Sequence, residues 1–273
     1  MRLSINILVS VTALLSITSS LSSRAQDALS ELDFALGESG QLADPAQTNP
    51  WRGFLGVGII ALDHPVAERK AFILSLASVS YRDTFYLNVG KAGVWLLKSA
   101  DRRARVGVAL KARGGYDPEE IDGLAGMDKR DTSAEAGVNG IWRTRPVTVS
   151  FGIYTDVSDN SNGNSALLGF SHPFRLSESW SLTPSLGAEW LSTEVVDYYY
   201  GVKPNEATPN RPAYAGQSSV NVRAALVAHY KLTRAWSLFG GASVTHLGSG
   251  ITDSPISVED NVAAVFVGGG WRF

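Results

Sequence analysis

The stretch Trp180–Trp190, WSLTPSLGAEW, divides its side chains between two faces. Alternate positions from Trp180 to Trp190 are all apolar, whereas the positions between them hold Ser, Thr, Gly and Glu. A period of two indicates a β-strand, because successive side chains of a strand point to opposite faces. At about 3.3 Å per residue and a tilt of about 40°, the two indoles lie roughly 25 Å apart along a membrane normal, which is the height of the apolar band of an outer-membrane barrel. The stretch therefore favours a membrane-spanning strand over a strand of a soluble sandwich.

The same division recurs in residues 102–113 and 220–231, where apolar side chains occupy one face and charged or small ones the other. On a membrane barrel the apolar face contacts lipid and the other face lines the lumen. We therefore expect a basic set of lumen residues, namely Arg103, Arg105, Lys111, Arg113, Arg223, His229 and Lys231. Against this set we expect inward Glu135 and Glu189. The net positive lining would favour anions if the lumen conducts, whereas a narrow barrel could instead be closed by interior ion pairs.

After Trp51 the chain alternates strand-forming runs with clusters of Gly, Asp, Asn, Pro and Ser, which predicts an all-β protein. Short and long connections also alternate, as periplasmic turns and outer loops do in outer-membrane barrels. Long connections are predicted at residues 63–69, 114–131, 158–164, 195–216 and 248–259. We predict an antiparallel transmembrane barrel of about twelve strands. Ten strands remain an alternative, because residues 84–99 are few for two spanning strands.

The N-terminus has the features of a secretory signal. Arg2 precedes an apolar stretch, Ile5 to Leu21, and Ser23 and Ala25 are the small residues expected before a cut after Ala25. The stretch is short and interrupted by serine, which disfavours a membrane-anchoring helix. The predicted organisation is a signal peptide at residues 1–25, a periplasmic segment at residues 26–50 and an outer-membrane barrel at residues 51–273. This predicts export to the outer membrane of a Gram-negative cell.

The composition excludes several functions. The 273 residues carry a formal net charge of −2, so the chain lacks the basic character of a nucleic-acid-binding protein. The sequence has no cysteine, which excludes disulfides, thiolate metal ligands and a cysteine nucleophile. The four histidines show no metal-ligand spacing, so we predict no metal and no cofactor. A hydrolytic set could be assembled only from His246, Ser249 and Asp253, which form no recognised motif.

The last strand ends on an aromatic residue, Phe273, two positions after Trp271. Apolar side chains alternate back to Ala263, so this strand is predicted to close the barrel against the first strand. A terminal aromatic after such a pattern resembles the signal by which the barrel-assembly machinery recognises its clients. We therefore predict that Trp271 and Phe273 form an assembly signal.

The last third of the chain carries a series of motifs in its loops and turns. Tyr-Tyr-Gly-Val is followed by Pro-x-Tyr-x-x-Gly, then by a Tyr-x-Leu-x-x-x-Trp hairpin and by Asp-Ser-Pro-Ile. This order resembles the MipA/OmpV family of outer-membrane proteins. The loop residues that carry the resemblance are Tyr199, Tyr200, Gly201, Val202, Tyr214, Gly216, Asp253, Ser254 and Pro255. A central segment, residues 110–131, also resembles the family's Arg-Gly and Leu-x-Gly-Met elements.

The resemblance implies a non-enzymatic scaffold that brings a murein transglycosylase together with a peptidoglycan synthase. It implies no catalytic residues and no cofactor. Other members of the family are regarded as adhesins or stress-linked surface proteins. The alternatives are a small anion-preferring channel, a surface adhesin and, third, a barrel lipid hydrolase. Outer-membrane lipids and lipopolysaccharide are expected partners of any such barrel.

The run Tyr198-Tyr199-Tyr200 has two interpretations. Exposed aromatic residues in an outer loop could anchor a partner or a ligand. The tyrosines could instead belong to the outer aromatic girdle of the barrel, where their rings suit the membrane interface.

Overall fold

The computed structural model of the protein describes residues 49–144 and 146–273. The predicted signal peptide and nearly all of the predicted periplasmic segment lie outside this part of the chain. The described residues form thirteen β-segments: β1 (Trp51–His64), β2 (Ala67–Tyr81), β3 (Phe85–Asn88), β4 (Lys91–Lys98), β5 (Ala104–Arg113), β6 (Ser133–Arg143), β7 (Thr148–Asp156), β8 (Asn164–Ser171), β9 (Phe174–Arg175), β10 (Trp180–Leu191), β11 (Ser219–Lys231), β12 (Trp236–His246) and β13 (Asn261–Arg272). Two short helices, α1 (Thr193–Tyr200) and α2 (Ser249–Thr252), lie between strands.

The strands form one closed antiparallel barrel. Each strand pairs with its neighbours in the chain, and β1 pairs with β13 from Phe54–Arg272 to Leu62–Ala264. Segments β8 and β9 both pair with β10, so together they form one strand of the barrel wall. The barrel thus has twelve strands, which confirms the predicted fold and number and makes the ten-strand alternative wrong. No helix in the described ranges is long and apolar enough to cross a membrane.

The third and fourth strands, β3 and β4, explain why the strand number was ambiguous. Segment β3 pairs with β2 only from Val79 to Tyr81. The hairpin then turns at Val89 and Gly90, and Gly90 has a φ of 73°, a left-handed conformation that favours glycine. The hairpin is therefore shorter than its neighbours and occupies the periplasmic side of the wall.

The alternation of side chains follows the predicted pattern. On β10, Trp180, Leu186 and Trp190 face outward and are 47%, 54% and 41% exposed. On β5 the inward residues Arg105 and Ala109 are buried, and on β13 Val262 and Phe266 are buried. Apolar outward side chains that alternate with inward ones are the pattern of strands in a lipid-embedded barrel.

Long connections lie at one end of the barrel, which is the outer end by the rule that periplasmic turns are short. The β1–β2 connection does not fit the prediction of a long loop at residues 63–69. It consists of Pro65 and Val66 alone, because both strands continue to the outer end and pair as far as His64–Ala67. The helix α1 and the helical turn α2 were also not predicted.

Candidate functional site: the outer cap and the lumen

Three outer loops, residues 114–132, 192–218 and 247–260, pack against one another and are called here the outer cap. Their contact surface forms an apolar cluster with Val66 of the β1–β2 connection, and each side chain of the cluster is at most 7% exposed. The cluster comprises Val66, Tyr116, Ile121, Leu124, Met127, Val202 and Ile256. Burial of this apolar surface stabilises the loops in one arrangement, as it does in a small folded core.

A buried ion pair joins two of these loops. The guanidinium of Arg130 donates to both carboxylate oxygens of Glu206 at 3.0 and 2.8 Å, and both side chains are at most 2% exposed. Glu206 also accepts from the backbone N–H groups of Asp128 and Lys203, each at 2.9 Å. Burial alone would raise the pKa of Glu206, but these hydrogen bonds lower it to about 2. The pair therefore stays ionised at neutral and mildly acidic pH.

A second arginine, Arg211, holds the same loops through backbone carbonyls. Its guanidinium donates to the carbonyl oxygens of Gly123 at 2.7 Å, Ala125 at 3.3 Å and Glu206 at 2.9 Å. Arginine suits this role because its planar group carries five N–H donors. The loop 114–132 is thus fixed to the loop 192–218 by two buried cations.

The helix α1 places Tyr199 beneath the cap. The Tyr199 hydroxyl donates to Ser133 Oγ at 2.8 Å, and the Tyr116 hydroxyl donates to the Tyr199 carbonyl at 2.6 Å. Burial raises the pKa of Tyr116 to about 12 and also raises that of Tyr199, so both phenols are neutral. Because Tyr199 is only 4% exposed, the interpretation that it belongs to the lipid-facing girdle is wrong.

The other loop residues that carry the family resemblance lie at contacts within the cap. Ser254 Oγ donates to the Tyr200 carbonyl at 2.5 Å. Val202 and Tyr214 exchange backbone hydrogen bonds at 2.9 and 3.0 Å, and the Tyr214 hydroxyl donates to the Gly250 carbonyl at 2.9 Å.

The four remaining residues of this group are Gly201, Gly216, Asp253 and Pro255. Gly201 accepts from Arg130 at 3.2 Å, and Asp253, which precedes Pro255, ends α2. The N–H of Gly216 donates to the Asp197 carboxylate at 2.8 Å, and a Cβ at Gly216 would collide with the Asp197 backbone.

Helix α1 fills the outer mouth of the barrel. Val195 and Val196 are at most 1% exposed and pack in one apolar cluster with the strand residues Ile60, Leu74 and Phe266. These strand residues face inward from β1, β2 and β13. The helix therefore closes the lumen at its outer end, beneath the cap.

Below the cap, four charged side chains form an interior network. Lys111 Nζ lies 2.8 Å from Glu135 and 3.7 Å from Glu189. Arg113 donates to Glu135 and, at 2.8 Å, to Glu189. Glu135 is only 2% exposed and also accepts from Ser165 Oγ at 3.1 Å. Such a network holds the interior in one arrangement, because a side chain that moved away would leave a buried charge without its partner.

The rest of the predicted basic set is dispersed. Arg105 is buried, with its guanidinium 5.9 Å from the Trp95 ring centre, and Arg223 donates to Thr245 Oγ1 at 2.8 Å. His229 Nε2 accepts from Arg272 at 3.2 Å. Lys231 is exposed at the end of β11.

Arg103 does not belong in the lumen. It precedes β5 in a periplasmic turn, where its side chain is 50% exposed and lies 3.7 Å from Asp101. The prediction extended the strand alternation two residues too far, since β5 begins at Ala104.

The proposed hydrolytic residues are not joined in the structure. His246 Nδ1 lies 3.1 Å from Asn261 Oδ1 on the neighbouring strand. In residues 49–144 and 146–273, no hydrogen bond connects His246 with Ser249 or Asp253, and no group of three or more His, Asp or Glu side chains is placed to hold a metal.

The predicted assembly signal lies at the seam of the barrel. Phe273 and Gly53 exchange two backbone hydrogen bonds of 3.0 Å, and the rings of Trp271 and Phe273 stack with centres 4.9 Å apart. The chain end is thus paired with the first strand.

Comparisons with known proteins agree with this architecture. The family described as MltA-interacting protein MipA matches residues 55–273. A putative outer membrane protein YiaT of Escherichia coli K12 is 31% identical over 80% of this chain and 90% of its own length. Outer membrane protein OmpV of Vibrio cholerae is 31% identical over 68% of this chain and 67% of its own length.

More distant similarities were also found. A protein named MltA-interacting protein, from Escherichia coli K12, is 24% identical over 80% of this chain and 89% of its own. Among solved structures, the NanC porin matches with a TM-score of 0.43 and 11% identity, covering 80% of this chain and all of NanC. The family match over four fifths of the chain and the YiaT similarity carry the assignment: this chain is a member of the MipA/OmpV family of outer-membrane β-barrel proteins.

Proposed function

We propose that this protein is a closed, non-enzymatic barrel that holds peptidoglycan-remodelling enzymes at the periplasmic face of the outer membrane. The closed outer mouth is the observation that carries the proposal. Helix α1, the Arg130–Glu206 pair and the apolar cluster of the outer cap all occupy the path that a solute would take. A barrel without a through-path is better suited to binding than to transport.

The periplasmic turns offer a charged surface for such binding. Their exposed side chains include six cations, Arg82, Arg102, Arg103, Arg175, Lys231 and Arg234, and two carboxylates, Asp101 and Glu178. A further carboxylate, Asp83, is already paired with Arg52 at 3.2 Å. The net positive face favours a partner with an acidic docking surface, because complementary charge steers association and fixes orientation.

The relative named MltA-interacting protein supports the choice of partner. Its printed name indicates association with MltA, which belongs to the class of lytic murein transglycosylases. We infer by kinship that the present chain binds a murein transglycosylase, and with it a peptidoglycan synthase.

Affinity purification from crosslinked envelopes tests the proposal. The native chain is expected to retain a peptidoglycan enzyme, identified by mass spectrometry. The triple variant Arg82→Glu, Arg102→Glu, Arg234→Glu is expected to lose most of this enzyme, because it turns the cationic face anionic. The variant Lys129→Glu, at a 62% exposed cap residue, serves as the matched control and should retain the enzyme.

Two results would count against the proposal. Absence of any peptidoglycan enzyme from the native purification would remove the scaffold function. Equal retention by the native chain and the triple variant would show that the cationic turns are not the docking surface.

A further inference from the structure

Three cations and a histidine face inward from the strands at the periplasmic mouth of the lumen. We call this group the rim cradle; its members are Arg175, His229, Lys231 and Arg272. His229 pairs with Ser181, and Ser181 pairs with Arg175, so these three side chains share one face of the wall. Lys231 follows His229 by two residues on the same face, at the end of β11. Because adjacent strands lie about 4.8 Å apart, the Cα atoms of Arg175 and His229 are separated by about 10 Å.

Arg272 reaches the rim cradle from the last strand. Its guanidinium donates to His229 Nε2 at 3.2 Å, although β12 lies between β11 and β13 in the wall. Gly270 makes room for this crossing, since a Cβ there would lie 2.6 Å from the ring of Phe54. The ring thus lies against the wall at Gly270, and the guanidinium extends across the mouth.

The positive charge of the rim cradle has no carboxylate partner in the part of the chain that the structure describes. None of Arg175, Lys231 and Arg272 forms a salt bridge within residues 49–144 and 146–273. The Nε of Arg272 is buried and has no hydrogen-bond partner there. In contrast, Arg113 and Arg130 each engage a buried carboxylate. A buried donor without a partner is unfavourable, and an anion in the mouth would supply the acceptor.

Apolar side chains close the inner end of the rim cradle. Val227, which precedes His229 by two residues on the same face, is 4% exposed, and Phe239, the partner of His229 on β12, is 6% exposed. An apolar boundary reduces solvent screening, so the field of the cations is stronger here than on an open surface. Lys231 and Arg175 are exposed at the other end. The rim cradle is therefore open to the periplasm and closed toward the lumen.

We propose that the rim cradle binds a phosphate group from the periplasm. A phosphate group carries about two negative charges at neutral pH and several acceptor oxygens, whereas a carboxylate carries one charge. The guanidinium groups of Arg175 and Arg272 suit it, because the planar fork of arginine matches the spacing of phosphate oxygens. The Lys231 ammonium adds a third charge. The Ser181 hydroxyl, located between Arg175 and His229, adds a neutral donor.

The phosphate is either the free inorganic ion or the ester group of a phosphorylated compound. Its binding does not depend on whether the periplasmic turns hold an enzyme. The triple variant of the turns changes Arg82, Arg102 and Arg234, none of which belongs to the rim cradle. The test of the scaffold and the test of the phosphate site can therefore fail independently.

Isothermal titration calorimetry of the purified protein in nonionic detergent tests this site. Inorganic phosphate is expected to bind saturably and more tightly than acetate. Arg272→Gln should weaken phosphate binding by about tenfold or more, because hydrogen bonds between charged groups are strong. Lys231→Gln, at an exposed position, should weaken it by about threefold. Lys129→Gln removes the same charge from the outer cap and should leave phosphate binding unchanged.

Glycerol phosphate distinguishes the two sources of the phosphate group. Binding of this ester at least as tight as that of inorganic phosphate identifies a phosphorylated compound, and tighter binding of inorganic phosphate identifies the free ion. The proposal would be overturned by the absence of saturable binding of both, by acetate binding as tight as that of phosphate, or by equal affinities of the native chain and the cradle variants. Because Arg272 lies at the seam, heat modifiability must verify the folding of Arg272→Gln. If this variant does not fold, Lys231→Gln and Arg175→Gln carry the same test.

Discussion

Replacing Arg130 with methionine is expected to open the outer cap while the barrel remains folded. The substitution leaves the Glu206 carboxylate buried without its cation, although two backbone N–H groups still reach it. Removing one partner of a buried ion pair typically costs ~3 to 5 kcal/mol. Because Arg130 and Glu206 lie in loops and not in strands, their separation destabilises the packed arrangement of the three loops and leaves the barrel folded. Their open population should rise by roughly a hundredfold or more, and proteolysis of the loops in the folded barrel measures this rise.

Two controls accompany the Arg130 variant. Lys203→Ala breaks a pair with Asp128 whose side chains are both more than half exposed, and exposed pairs contribute only about 0 to 1 kcal/mol. Loop cleavage in this variant should remain near the native rate. The double variant Arg130→Met, Glu206→Leu removes both charges and should recover part of the protection. Native cleavage rates in Arg130→Met alone would contradict the assigned role of the buried pair.

Deletion of Phe273 is expected to abolish assembly of the barrel in the outer membrane. The deletion removes two backbone hydrogen bonds to Gly53 and the ring that stacks on Trp271. These contacts lie at the seam where β13 meets β1, and an unpaired strand edge is strongly unfavourable in a membrane. The measurement is the amount of heat-modifiable protein in purified outer membranes.

Substitutions at the same position separate the two contributions of Phe273. Phe273→Tyr keeps an aromatic ring and should assemble normally. Phe273→Ala keeps the backbone pairs with Gly53 but lacks the ring, so an assembly defect in this variant isolates the aromatic signal. Recovery of native amounts of heat-modifiable barrel after deletion of Phe273 would refute the prediction.

The strands could be predicted because membrane barrels impose a rule on every second residue. Trp180 to Trp190 carries this alternation without interruption, and the predicted strand start at Trp180 coincides with that of β10. The alternation of side chains does not show where a strand begins or ends, and two predictions that depended on strand ends were wrong. Arg103 continues the alternation of β5 although it lies in a turn, and the β1–β2 connection is shorter than its Asp and Pro residues indicated.

The cap could not be predicted from residue types. Arg130, Glu206 and Arg211 lie in polar loops, where a charged residue is usually solvated, and only the folded loops bring them together. One signal was available in the sequence: Val195, Val196 and Tyr199 lie on one face at helical spacing, and all three are buried. The family motif did identify the correct region, because most of its residues form the loop contacts of the cap.

Planar-bilayer recording of the purified full-length chain tests most directly the central claim that this barrel is closed. The structure predicts no steady single-channel current, because α1 fills the outer mouth and the interior network lies beneath it. Correct folding should be verified on the same sample by heat modifiability. A sustained current from the native barrel, with an anion preference that Arg105→Glu reduces, would contradict the claim and favour a channel.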